Sequence, residues 1–185
     1  MTTSIERLHR RGHIMATARR QGGILSRRQL YALGLTRWEV TAEIAAGRWR
    51  RLGSQCVAVG PTDATSVWWQ ALLEVGPAAV LDGASALLVA GLRTITANQI
   101  HVAVPRGAWF RRRKGIRVHE TRRFREEDVL RDGVPRMAPA TAAVHAALWA
   151  RSDREAGLFL IDQGGEALRA GGWSPPPLRQ RRRGQ

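Results

Sequence analysis

The 185 residues carry 30 Lys and Arg against 15 Asp and Glu, a formal net charge of +15, and 44% of them are hydrophobic. Such a chain buries a core, which argues against disorder throughout, and a balance of this sign biases its partners toward polyanions, nucleic acid first. A lone cysteine, Cys56, excludes an intrachain disulfide and a thiolate zinc site, and no stretch approaches the ~20 apolar residues of a membrane span.

The charge sits in blocks. Residues 1–60 hold 11 basic and 3 acidic side chains, 61–105 hold 1 and 3, and 106–136 hold 11 and 5. Lys114 is the single lysine, so nearly all of the charge is guanidinium. The opening stretch "MTTSIERLHRRGHIMATARR" lacks the apolar run of a signal peptide, which predicts a soluble, cytoplasmic protein.

In chain order, "IMATARRQGG" predicts a short amphipathic helix with Ile14, Met15 and Ala18 inward and Arg19 and Arg20 outward. Two capping boxes follow, Ser26-Arg-Arg-Gln29 and Thr36-Arg-Trp-Glu39, in which a hydroxyl caps a free backbone N–H and the third residue on reaches back. Leu30 and Leu33 recur at helical spacing, Gly34 supplies a stop, and the second box starts a helix with Val40 and Ile44 on its inner seam. That pattern is a helix, a three-residue turn and a helix, ended by Gly47.

After Gly47, "RWRRL" and "CVAV" read as short strands around the turn Gly53-Ser54-Gln55. A hairpin directly behind a helix-turn-helix is the plan of a winged helix, so residues 1–60 are predicted to be a winged-helix DNA-binding domain. Arg37, Trp38 and Thr41 lie away from the Val40/Ile44 seam, where a recognition helix faces the major groove. Arg27 and Arg28, opening the first helix of the pair, and Arg48, Arg50 and Arg51 of the wing are the candidates for backbone phosphates, with the hairpin tip against the duplex. Trp49 is expected to pack inward, and core packing competes with groove contact for Trp38. Glu39 belongs to the cap, whereas nothing in the sequence accounts for Glu43.

Residues 61–170 form a predicted α/β domain. Asp63 is expected to cap a helix through Val75 that ends at Gly76-Pro77, and Ser85 to Val89 gives a shorter helix. "QIHVAV" and "GIRVHE" alternate with period two and read as neighbouring strands joined by the basic loop "PRGAWFRRRK". Arg111, Arg112, Arg113 and Lys114 are read there as an exposed hairpin tip rather than a binding site. A helix from Ala142 to Ala150 and another opened by Ser152-Asp-Arg-Glu155 and running through Asp162 complete an α+β unit, and residues 171–185 are a basic, Pro-rich linker or tail.

The stretches "GGILSRRQLYALGLTRWEV", "GRWRRL" with "VAVG", "GPAAVLDGASALLVAGL", "IHVAVPRG", "GIRVHETRR" and "DGVPRMAPAT", taken in order, resemble the AbiEi-type antitoxin family. The resemblance spans roughly residues 15–165, and is to the branch often fused to an endonuclease domain of the very-short-patch-repair type. It implies an N-terminal winged helix, an α/β domain behind it, repression of the protein's own operon at inverted repeats, and a nucleotidyltransferase-like toxin as partner. The alternative reading is the DNA-targeting part of a Vsr-like endonuclease whose catalytic domain would follow Gln185.

No catalytic residues are expected in this chain. A restriction-type nuclease holds Mg²⁺ with an acidic residue and a Glu-x-Lys pair, and Lys114 follows arginines instead. There is no Gly-Lys-Ser/Thr phosphate loop either. His101 and His119 fall on neighbouring strands, but without a third ligand at suitable spacing no metal or other cofactor is expected, and His145 is given no role. The basic clusters lie mostly at turns, not on an amphipathic helix, so no membrane partner is expected.

Overall fold

The computed structural model describes residues 4–93, 97–150, 152 and 156–159. It is a mixed α+β structure with two small sheets and two hydrophobic cores.

The first core gathers Ile14, Ala18, Leu25, Leu30, Leu35, Val40, Val57 and Val59, with Leu33, Ile44 and Trp49 at its margin. Helix α1 (Ser4–Arg20) supplies Ile14 and Ala18 to it and exposes Arg19 and Arg20. The helix is longer than the apolar pattern predicts, because its first half, with Ile5 and Leu8 exposed, has no packed face for a pattern to mark. Strand β1 (Ile24–Ser26), not foreseen, is three residues long and wholly buried. Both predicted capping boxes form: Ser26 Oγ accepts from Gln29 N ahead of α2 (Arg27–Ala32), and Thr36 Oγ1 accepts from Glu39 N ahead of α3 (Arg37–Ala45). Between them Gly34 sits at φ 85°, a left-handed conformation that a Cβ would disfavour.

Strands β2 (Arg50–Arg51) and β3 (Cys56–Ala58) follow. The first sheet has the order β1-β3-β2, all antiparallel, with Ile24 and Arg50 both registered on Ala58. Strand β3 is central and buried, and β2 is an exposed edge.

Helix α4 (Ser66–Val75) touches both sheets. Its expected cap is revised: Asp63 accepts from the N–H and hydroxyl of Thr65 instead, closing a turn before the helix, and Thr65 stands at the N-cap with its side chain making no bond to the helix N–H groups. Then come β4 (Val80–Leu81), α5 (Gly83–Val89) capped by Asp82, β5 (Ile100–Pro105), β6 (Ile116–Thr121), a 3₁₀ turn at Glu126–Asp128, β7 (Val129–Leu130), β8 (Arg136–Met137) and α6 (Pro139–Trp149). The second sheet runs β6-β5-β4-β8-β7. Val102, Ala103 and Val104 of β5 are all buried, as a strand covered on both faces requires. Helices α5 and α6 pack together over the second core, which includes Leu81, Leu87, Met137 and Ala142.

The predicted neighbours β5 and β6 do pair, but in parallel, Ile100 on Ile116 through Pro105 on Thr121. Their connection is therefore a crossover and not a hairpin tip. It passes over the end of α4, where Arg111 N donates to Val75 O at 2.8 Å. Residues 156–159 are helical; the rest of the segment expected to run on through Asp162, and the tail 171–185, lie outside the described residues.

Candidate nucleic-acid interface

Helix α3 turns Val40 into the first core and leaves Arg37, Trp38 and Thr41 exposed on its outer side. Trp38 is 81% exposed, so the core alternative for it is overturned: the helical phase set by Val40 and Ile44 carries residue 38 away from the protein. Thr41 Oγ1 donates to the Arg37 carbonyl at 2.9 Å, which spends its proton inside the helix.

The two carboxylates of α3 are both engaged. Glu39 accepts from Thr36 N at 2.7 Å and from Arg10 Nη2 at 2.9 Å, tying α1 to the inter-helix turn, and its pKa is lowered chiefly by the Thr36 backbone bond. Glu43, unexplained in the sequence, accepts from Arg48 Nε at 2.7 Å and Nη2 at 2.9 Å, and Arg48 is the main cause that lowers its pKa. This fork commits one edge of the Arg48 guanidinium to Glu43, while the side chain stays exposed. Arg50 and Arg51 remain exposed on the edge strand, with Arg51 Nε also donating to Gly53 O at 2.9 Å. Trp49 is half-buried against the first core, as expected. Arg28 is exposed and Arg27 half-buried in the first turn of α2.

The hairpin turn is not the free tip that the sequence suggests. Glu74 of α4, 5% exposed, accepts from Gln55 N at 2.7 Å, Cys56 N at 2.9 Å, Ser54 Oγ at 3.0 Å and Arg113 Nε at 2.9 Å. Arg113 Nη2 donates to Ser54 Oγ as well, and Gln70 Nε2 donates to Leu52 O at 3.1 Å. A Cβ on Gly53 would collide with the Glu74 carboxylate, so the turn fits there only because residue 53 has none. Burial pushes the Glu74 pKa up, but the bonds from Gln55, Ser54 and Cys56 outweigh it and the net is a lowered value. Burial, then Glu74, push the adjacent Cys56 thiol up, leaving it a protonated and inert core group.

A second cluster is legible only in part in the sequence, which brings His101 and His119 together but misses Asp82, His145 and Trp149. His145 Nδ1 lies 2.8 Å from Oδ2 of the fully buried Asp82, and its ring stacks on Trp149 at 5.3 Å. The His119 ring also stacks on Trp149, at 3.4 Å, with Nε2 3.2 Å from His101 Nδ1. Burial raises the Asp82 pKa against the opposing pull of His145. Burial, with His101 and Arg117 nearby, lowers that of His119 to about 4. Among the described residues no three His, Cys, Asp or Glu side chains are grouped so as to hold a metal ion, and no helix is long and apolar enough to cross a membrane.

In comparisons with known proteins, no family model and no curated protein matches the chain.

Proposed function

We propose that this chain is a cytoplasmic, sequence-specific double-stranded DNA-binding protein, a transcriptional regulator of antitoxin type that acts through an N-terminal winged helix-turn-helix domain in residues 1–60. The order α1-β1-α2-α3-β2-β3 with sheet order β1-β3-β2 suits that reading. The observation that carries it is the outer face of α3: Arg37, Trp38 and Thr41 stand exposed together on one helix, and the next element in the chain is the exposed, cationic edge strand of Arg50 and Arg51. Arg37 suits guanine, the Thr41 methyl suits thymine, and Arg27, Arg28, Arg50 and Arg51 suit phosphates. Arg48 contributes by holding Glu43 away from the duplex.

The test is a titration of the protein with duplex DNA from its own promoter region at increasing salt, followed by footprinting. The Arg50→Ala/Arg51→Ala protein should show a salt slope shallower by about two units, given ~0.9 per phosphate. An unchanged slope removes the β2 edge from the interface. The Arg37→Ala/Trp38→Ala protein should lose the footprint while keeping weak, sequence-independent binding.

The α/β domain, residues 61–170, is the part that would meet a nucleotidyltransferase-like toxin. Val144 and Leu148, one turn apart on α6 and both exposed, Leu148 at 74%, give it an apolar face suited to a protein partner. Co-purification with the neighbouring gene product tests this, and a toxin that stays unbound counts against it.

A further inference from the structure

We propose that the crossover loop Arg106–Gly115 of the second sheet is a second DNA-contact segment, with Arg111 and Arg112 as its phosphate ligands and Glu74 and Arg113 as the residues that position it. The inference rests on the DNA-binding reading above and extends that surface across both sheets.

Three observations carry it. First, the loop is fixed to the hairpin: Arg113 donates both to Glu74 and to Ser54 of the β2–β3 turn, and Arg111 N donates to Val75 O. The turn that would serve as a wing tip is thereby held against α4, and the loop passes beside it. Second, the loop faces the cationic start of α2. A cleft of about 460 Å³ is lined by Arg28 and Gln55 together with Trp109 and Arg111 of the loop, and its lining includes no carboxylate. A cleft beside Gly53 and Gln70 contains Glu74 instead, and one beside Arg50 and Thr62 contains Asp63. Third, the guanidiniums are not neutralised at home. Among the described residues no carboxylate pairs with Arg28, Arg111 or Arg112, whereas Arg10, Arg48, Arg113, Arg131 and Arg136 each have one.

Arg111 is moreover stacked over the Trp109 ring at 4.0 Å, which limits its rotamers before any ligand arrives. A guanidinium held this way loses less freedom on meeting a phosphate than one on a free tip. Arg112, next to it in the loop, is exposed. An arginine beside a buried carboxylate anchors the loop, and its neighbours, without such partners, are left to bind the anion.

The experiment compares wild type, Arg111→Ala/Arg112→Ala and Glu74→Gln by anisotropy titration with the promoter duplex at several salt concentrations, together with hydroxyl-radical footprints. The double variant should lower the salt slope by about 1.8, two contacts at ~0.9 each, and lose protection at one flank only. Glu74→Gln, checked for folding by its melting transition, should lose part of the same increment. In the triple variant the loss should equal that of the arginine pair alone, because positioning acts through those arginines. If wild type fails to bind any duplex, the proposed function falls. If wild type binds and the Arg111→Ala/Arg112→Ala protein keeps both slope and footprint, this inference alone is overturned.

Discussion

The two cores handle charge in opposite ways. In the first, carboxylates stay at the surface and are used to finish helices or hold arginines, as Glu39 does for Thr36 and Arg10 and Glu43 for Arg48. In the second, the carboxylates of Glu74 and Asp82 are buried and surrounded by donors. A buried ionised group without partners is costly, so each such site locks its neighbours into one arrangement. The first region therefore displays side chains, and the second supplies the rigid frame that fixes where they stand.

Glu74→Ala should break that contrast most severely. It leaves Arg113 and the Gln55 and Cys56 N–H groups without their acceptor in a buried site, and should cost about 3–5 kcal/mol. Chemical denaturation measures it. A loss below about 1 kcal/mol would show the turn to be docked by apolar contact alone. The linkage has a definite sign: the folded pKa is lowered, so the stabilisation is present above the ordinary value of 4.5 and is lost as pH falls through the folded value.

Leu30→Ala and Leu87→Ala sharpen the comparison further. Both side chains are fully buried, and each truncation should cost about 2–5 kcal/mol. The first core is the smaller of the two, so Leu30→Ala should abolish DNA binding at a temperature where Leu87→Ala retains it. Equal loss of binding in the two proteins would mean that the cores unfold as one unit.

His119 gives a pH window distinct from that of Glu74. Its folded pKa of about 4 lies below the ordinary 6.5, so the unfolded chain binds more protons between those values and stability falls as pH drops across them. The ceiling is about 3 kcal/mol at 1.36 kcal/mol per unit, reduced by solvent at a half-buried site. Asp82 acts the other way: its raised pKa makes the folded state bind more protons, and stability falls as pH rises from its ordinary value of 3.8 toward the folded one. His119→Gln should flatten the acid-side loss measured between pH 6.5 and 4; an undiminished slope would remove His119 as its source.

What was legible in the sequence was local. Ser26 with Gln29 and Thr36 with Glu39 are capping pairs three residues apart, and Gly34 marks the stop between them, so both helices could be read with their boundaries nearly right. The alternation in Ile100–Pro105 and Ile116–Thr121 revealed the strands but not their parallel pairing, which depends on the path of the loop across α4. Glu74 and Gln55 are 19 residues apart, Glu74 and Arg113 are 39, and Asp82 and His145 are 63. No periodicity connects such partners, so nothing in the sequence singles out Glu74 or gives His145 a role. Strand β1 is too short for period two to register.

The smallest effect compares the two caps themselves. Ser26 is buried and its box is continuous with the first sheet, where Ser26 pairs with Cys56, while Thr36 is exposed between two helices. Thr36→Ala removes one cap bond at the surface and should cost about 1 kcal/mol. Ser26→Ala removes a bond that water cannot replace, which places it at the upper end of the capping range, about 2 kcal/mol. Thr36→Ala also removes the hydroxyl bond to Glu39, leaving that carboxylate to the residue-36 backbone N–H and Arg10, so its effect on DNA affinity should exceed its effect on stability. Denaturation midpoints and duplex titrations on the two variants measure the pair. A stability loss larger for Thr36→Ala than for Ser26→Ala would show that the turn between α2 and α3, and not the sheet, limits the first region.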